Sequence, residues 1–365
     1  MAGTTVDHVI ATNFRNYESF DVSLSPGFNL IVGPNAQGKT NFLEAIYWLS
    51  SVRLLRSSKD QDAIRFGEEE ARVTAKLGPH GTEIALRVPK GSRKIAYLNG
   101  LALPRASDLL GRLPSVCISS IDLALAKGEP AVRRLFLDTE LCQRFPSYLH
   151  AFTHYKRALD QRNTLLKQAQ TSNVTPQTFE PWEDVLATFG SQLRTVRSDY
   201  VAALNRHAQE IHSFIGSGEL ASFAYEWKDA NRTPEELLGA FESSRKTDIL
   251  RGSTTIGPHR DDLRLAINEI DVRAFGSQGQ QRTSVISLKL ASLVEGTEIH
   301  GFIPLLFLDD ILSDLDEFRR KHLVEWVLIH AGQAILTCTE PDAAGKELSH
   351  RSKLFIVQNG SIGEP

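Results

Sequence analysis

The run IVGPNAQGKTNFLEAIYWL, Ile31 to Leu49, constrains this chain more than any other. An apolar segment breaks at Gly33-Pro34-Asn35 and resumes as an amphipathic helix. FNLIV (Phe28 to Val32) is short, apolar and bounded by Pro26-Gly27 and Gly33-Pro34, which are the marks of a buried strand. TNFLEAIYWL repeats apolar residues at helical spacing from Thr40 onward. The loop between them fits the phosphate-binding pattern G-x-x-x-x-G-K-S/T in its required strand-to-helix setting. Gly33 and Gly38 let the backbone wrap close to a phosphate, where a Cβ would collide. The loop amides and the positive end of the helix face the anion. Lys39 reaches the β- and γ-phosphates, and the Thr40 hydroxyl is a Mg²⁺ ligand. The expected nucleotide cradle is therefore Gly33, Pro34, Asn35, Ala36, Gln37, Gly38, Lys39, Thr40 and Asn41.

Composition allows this. The 365 residues are 41% hydrophobic and 23% charged, enough for a core of two lobes. Three cysteines and no secretory leader predict a reducing, cytoplasmic setting, with Cys117, Cys142 and Cys338 as core thiols. No apolar run approaches the roughly 20 residues that span a bilayer, so no membrane association is expected. A net charge of −3 confines any nucleic-acid surface to a local patch.

The N-terminal third reads as strands: HVIATNFRNY, SFDVSLS, FNLIVG, ARVTAKLG, TEIALRVP, RKIAYLNG and SVCIS. From Pro130 to about Phe214 the text turns helical. ELASFAYEW reads as a strand, and TPEELLGAFESSRKTDIL as a helix with Thr233 as N-cap and Pro234 at its first position. Strand-like text returns at DDLRLAINEIDV. No heptad array is long enough for a coiled-coil arm.

IPLLFLDDILSDLD (Ile303 to Asp316) is an apolar strand ending in two acids, the Walker B pattern. Asp309 is the metal candidate beside Thr40, and Asp310 is placed to orient an attacking water. Lys39, Asp309 and Asp310 are the expected catalytic group. Lys39 and Asp309 stand about 270 residues apart, too far for one domain of roughly 100–200 residues, so an inserted lobe splits the nucleotide domain. Just before Walker B, Ser277, Gln278 and Gly279 form a small-residue turn opening an amphipathic helix that starts near Gln280, a second phosphate-shaped element.

The order of loop, helical insert, Ser-x-Gly-Gln helix, Walker B and SDLD resembles the ATP-binding-cassette ATPases. NFRNY, GPNAQGKTN, YLNG, GPHRDD, SQGQQR and LFLDDILSDLD together look like the RecF family, recombination mediators related to SMC heads but lacking their coiled coil. The resemblance implies an α/β fold: an ATPase head with a mixed β-sheet lobe over 1–125 and 251–365 and an inserted α-helical lobe over 126–250. It implies ATP and Mg²⁺ as cofactors. It implies an ATP-dependent homodimer in which Ser277 to Gln280 of one copy close over the γ-phosphate held by the other, with Ser313 to Asp316 at the interface. It implies binding to double-stranded and gapped DNA, partnership with RecO and RecR in loading RecA, and weak DNA-dependent ATP hydrolysis that releases the dimer. One departure stands out: Ser120-Ile121 occupies the place of an expected Pro-Glu, so the residue serving the Q-loop stays open. Thr337 and Thr339 are both candidates for sensing the γ-phosphate.

Basic clusters at Arg53, Arg56 and Lys59, at Arg133 and Arg134, and at Lys156, Arg157, Arg162 and Lys167 either face DNA phosphates or are solvated helix faces. His8, Asn13 and Tyr17 lie near the adenine or within the sheet. Two other functions fit part of the pattern: an ATPase subunit of a transporter or SMC-like complex, and a scaffold that binds ATP without turnover.

Overall fold

A computed structural model describes residues 4–216 and 218–365. The chain opens with β1 (Thr5–Phe14), β2 (Tyr17–Ser23) and β3 (Phe28–Val32), then α1 (Lys39–Ser51). There follow β4 (Glu70–Gly78), β5 (Thr82–Pro89), β6 (Ile95–Leu98), β7 (Leu101–Ala102) and β8 (Ser115–Ser119). The middle holds α2 (Ala124–Lys127), α3 (Pro130–Arg144), α4 (Pro146–Gln168), α5 (Glu180–Ile215), β9 (Ala221–Glu226), α6 (Pro234–Arg251), β10 (Asp262–Ile267), β11 (Ile270–Asp271) and α7 (Val272–Phe275). The chain closes with α8 (Gln278–His300), β12 (Leu305–Asp309), α9 (Glu317–His330), β13 (Ala334–Cys338), α10 (Lys346–Arg351), β14 (Ser352–Gln358) and β15 (Ser361–Gly363). The fold is mixed α/β, as expected. Two compact units divide it: residues 1–123, 210–219 and 278–365, and residues 124–209 and 220–277.

The first unit holds two sheets. One runs β2-β1-β4-β5-β6-β7 and its pairings are antiparallel. Its strands alternate: Val6, Val9, Ala11 and Phe14 of β1 are buried while Asp7, Ile10 and Thr12 are exposed. That is the pattern of a sheet with one wet face. The other runs β15-β14-β3-β13-β12-β8, parallel except for the β14–β15 hairpin. Here β3, β8, β12 and β13 are buried at every position, because a parallel strand is covered on both faces. Helix α1 packs against strands of both sheets and carries Phe42, Leu43, Ile46, Trp48 and Leu49 with essentially no exposure. A helix buried on most of its circumference is what that sandwiched position demands.

The second unit combines α3, α4, α6 and most of α5 with an antiparallel sheet ordered β11-β10-β9. Helix α6 begins as the sequence predicts: Glu236 N donates to Thr233 Oγ1 at 3.2 Å and Thr233 N donates to the Glu236 carboxylate at 3.0 Å. It ends at Gly252, whose φ of 65° closes the last turn in the left-handed region. The division differs from the expected boundary at 250/251. Strand β10 pairs with β9 from Asp262↔Glu226 to Ile267↔Ala221, so residues 251–277 stay with the inserted helices. The strand joins the sheet that offers it an edge.

Candidate nucleotide site

Strands β3, β13 and β12 lie side by side and parallel, so their C-terminal ends present Gly33, Cys338 and Asp309 along one edge. Ligands of open α/β sheets bind outside that edge. Gly33 is obligatory there, because a Cβ would come within 2.2 Å of the Val357 carbonyl oxygen. Gly38 has φ 125° and is the N-cap of α1, with no side chain capping the helix. Its first-turn amides are therefore left for a ligand.

Lys39 is 6% exposed, and among the described residues its ammonium is held by neutral oxygens: Nζ donates to the Gly33 carbonyl at 2.7 Å and the Pro34 carbonyl at 2.9 Å. The Thr40 hydroxyl donates to Asp309 Oδ1 at 2.8 Å, joining the two motifs across 269 positions of sequence. Thr337 Oγ1 donates to the same oxygen at 2.9 Å and accepts the Asp310 amide at 2.9 Å. Of the two threonines after β12, the structure brings Thr337 into this group; Thr339 lies beyond the end of β13, partly exposed. Asp310 adopts φ 53°, and Ser313 Oγ donates to its carbonyl at 2.9 Å and its carboxylate at 3.0 Å. Burial pushes the neighbouring Cys338 thiol up to about 12; Asp310 adds to the rise and Lys39 opposes it. That thiol is inert core, as the apolar run around it predicts.

Arg56, in the basic cluster with Arg53 and Lys59, faces the site rather than only solvent. Its guanidinium donates to Asp309 Oδ2 at 3.3 Å. Its amide donates to Glu44 Oε1 at 3.1 Å, and Glu44, fully buried in α1, also takes Arg15 through two bonds of 2.9 and 3.0 Å. Arg53 and Lys59 are exposed.

Gln278, Gly279 and Gln280 open α8, with Ser277 exposed just before it. Gln280 donates to Glu219 at 2.8 Å. Thr283 Oγ1 donates to the Gly279 carbonyl at 2.9 Å and accepts Arg319 Nε at 3.0 Å. Arg319 also pairs with Asp316, and Arg282 Nη1 donates to the Asp314 carbonyl at 2.5 Å. These bonds tie the start of α8 to the SDLD segment, 313–316, rather than to the loop at 33–41.

Other sequence candidates move. Arg133, 3% exposed, is bidentate with Asp262 at 2.7 and 2.9 Å, and Arg134 donates to the Asp261 carbonyl at 2.7 Å. Arg162 is fully buried between Glu183 and Asp248. None of these three is a solvated basic face; Lys156, Arg157 and Lys167 are exposed. His8 pairs with Asp21 and Asn13 donates to Glu68 at 3.2 Å, while the Tyr17 hydroxyl donates to the Gly38 carbonyl at 3.1 Å.

A family model described as RecF/RecN/SMC N terminal domain matches residues 5–362. The DNA replication and repair protein RecF of Clostridium acetobutylicum is 36% identical over 364 residues, which is 98% of this chain and 99% of that one. The chain belongs to the RecF family. RecF of Halalkalibacterium halodurans is likewise 36% identical over 366 residues, 98% of each chain. A solved structure described as the recombination mediator protein RecF-ATP in the RecFOR pathway is 29% identical, superposes with a TM-score of 0.91, and covers 100% of this chain and 98% of that one. An Smc head domain from Pyrococcus furiosus, 17% identical with a TM-score of 0.58 over 99% of this chain and 95% of its own, shares the fold. As a RecF-family member the chain is a DNA replication and repair protein with an ATPase head of the cassette type. No helix among the described residues is long and apolar enough to cross a membrane.

Proposed function

We propose that this chain binds ATP and Mg²⁺ in the 33–41 loop, dimerises over them, and engages double-stranded and gapped DNA in recombinational repair. The single observation that carries the reading is the Thr40–Asp309 bond of 2.8 Å at the carboxyl edge of the parallel sheet. A hydroxyl and a nearly buried carboxylate beside a phosphate-binding loop are the hard oxygen donors that Mg²⁺ takes. Thr40 and Asp309 would hold the ion, which would supply charge neutralisation to the bound phosphates. The chain's own groups do the rest. Lys39 exchanges the Gly33 and Pro34 carbonyls for phosphate oxygens, which are stronger partners for an ammonium. Asp310, whose amide Thr337 holds, orients the attacking water. The Ser277–Gln280 run of a second copy closes over the γ-phosphate, so nucleotide binding stabilises the dimer by mass action and hydrolysis removes that link. Asp310, in place of a longer glutamate, fits slow turnover.

By likeness to the relatives, this cycle works in the cytoplasm with RecO and RecR to load RecA on gapped DNA. The test is sedimentation of the full chain with and without ATP and gapped DNA. ATP should produce a dimer that carries the DNA. Ser277→Arg, at an exposed position, should keep ATP affinity and lose the dimer, whereas Lys39→Arg should lose ATP affinity or turnover. An ATP-dependent dimer that persists in Ser277→Arg refutes the sandwich.

A further inference from the structure

Two hairpin tips grip the nucleotide loop at Gln37 and Gly38. The first is the turn between β1 and β2, where Phe14 pairs with Tyr17. Asn16 Nδ2 donates to the Gln37 carbonyl at 3.0 Å, and the Tyr17 hydroxyl donates to the Gly38 carbonyl at 3.1 Å. The second is the turn between β14 and β15, where Gln358 pairs with Ser361. Gly360 N donates to the same Gln37 carbonyl at 3.2 Å, and Asn359 N donates to Gln37 Oε1 at 2.7 Å. Asn16 also spans the loop, since its Oδ1 accepts Asn41 Nδ2 at 2.8 Å. The tips touch: a Cβ on Gly360, which has φ 71°, would come within 2.8 Å of the Asn16 carbonyl oxygen.

These bonds have a directional consequence. A trans peptide is planar, with C=O and the following N–H on opposite sides. Holding the Gln37 carbonyl towards the tips turns the Gly38 amide away from them; the Gly38 carbonyl, which Tyr17 shares with the Phe42 amide of α1 at 2.9 Å, is fixed from two sides and fixes the Lys39 amide with it. Two successive amides aimed one way make an anion nest. Burial raises the Tyr17 phenol well above its ordinary range, so it remains a donor.

We propose that Asn16, Tyr17 and the 359–360 turn are positioning residues that preset the amide direction of the phosphate loop, so that the C-terminal hairpin is part of the nucleotide site. The inference rests on the nucleotide reading above. It makes loop order, not only loop sequence, a determinant of affinity, because a preset nest spares the ordering cost on binding.

The test compares full-length wild type with Asn16→Ala, Tyr17→Phe and Gly360→Val. A fluorescent ADP analogue reads affinity, amide exchange over residues 34–41 without nucleotide reads loop order, and thermal melting reads the fold. Each of the first two variants should weaken binding by about three- to tenfold, the worth of one hydrogen bond. Amides at 37–40 should exchange faster while the melting curve stays in place. Gly360→Val should show both effects by pushing the tips apart. Wild-type affinity with unchanged exchange overturns the proposal, and so does an affinity loss that tracks melting. If wild type itself fails to bind the analogue, the nucleotide reading falls and this proposal falls with it.

Discussion

The buried charges of the second unit and those at the nucleotide loop of the first are met in opposite ways. In the second, every buried guanidinium described above meets carboxylates. Arg162 sits between Glu183 at 3.0 Å and Asp248 at 2.7 Å, all three without exposure. Arg194 takes Asp261 and Asp229, each through two bonds of 2.7 to 2.8 Å. Burial alone would weaken the Arg194 proton, but those two carboxylates more than offset it and raise its pKa. In the first unit, Lys39 has carbonyls for partners, and Asp309, 2% exposed, has two hydroxyls and a guanidinium whose side chain is 47% exposed. A buried charge with matched ions is spent on the fold. One held by neutral dipoles is still available to a ligand. The first unit has a scaffold pair too, Arg15 with Glu44, which marks the distinction as one of partners rather than of units.

Removing one member of a matched pair strands the other, at about 3–5 kcal/mol. Arg162→Ala should therefore cost about that much in urea denaturation, since it leaves the buried Asp248 without a counter-ion, while Glu183 keeps Arg245. Asp309→Asn, whose partners are mostly neutral, should cost less than about 1 kcal/mol while abolishing Mg²⁺-dependent nucleotide binding. Equal losses in the two variants would break the comparison.

His259 of the GPHRDD motif gives a pH version of the same contrast. Its Nε2 lies 3.0 Å from the Thr254 carbonyl, so that nitrogen carries the proton, and Nδ1 accepts from the Tyr155 hydroxyl at 2.6 Å. Burial pushes its pKa down to about 4, with Arg260 and Arg134 adding to the fall and the Thr254 carbonyl and Asp261 opposing it. The folded value lies below the unfolded one, near 6.5, so neutral imidazole favours folding. Its contribution is complete above pH 6.5 and drains away as pH falls from 6.5 towards 4, by up to about 3 kcal/mol. His259→Gln should remove that share of the acid sensitivity of the urea midpoint and leave the carboxylate share. An identical pH slope in the variant would show that this histidine titrates normally.

The sequence made some of this legible and hid the rest for physical reasons. The phosphate loop and Asp309 could be read because their chemistry is packed into adjacent residues between a buried strand and a helix. The mixed α/β fold was legible in the order of the motifs and in the change from strand text to helical text near Pro130. Arg162 was readable in principle: it stands on the buried stripe of α4 with Tyr148, Ala151, Tyr155, Ala158 and Leu166, although its charge grouped it with exposed Lys156 and Arg157. Asn16, Asn359 and Gly360 had no such mark. Asn16 and Gly360 act on the Gln37 backbone carbonyl, more than 20 and more than 300 positions away, and a bond to a carbonyl asks for no residue type in return; Asn359 uses its own backbone amide, which any residue but proline supplies. The boundary at 251–277 was hidden because strand text states that an edge is needed, not which sheet supplies it.

Arg56 is the smallest and sharpest case. It is the one ion touching Asp309 among the bonds described, yet it is half exposed and 3.3 Å away, the geometry of a weak pair worth about 0–1 kcal/mol. Arg56→Gln should therefore leave the denaturation midpoint nearly unchanged. If Asp309 is held for a ligand rather than for the fold, removing the guanidinium should ease entry of Mg²⁺ beside Oδ2. The apparent Mg²⁺ affinity, titrated by nucleotide fluorescence, should then rise by up to about fivefold, the equivalent of 1 kcal/mol. The gain should shrink as salt is raised, because a half-exposed pair is screened in wild type already. A fall in Mg²⁺ affinity would instead make Arg56 a ligand-side group that attracts the nucleotide, and Asp309 would then count as matched, on the scaffold side of the comparison.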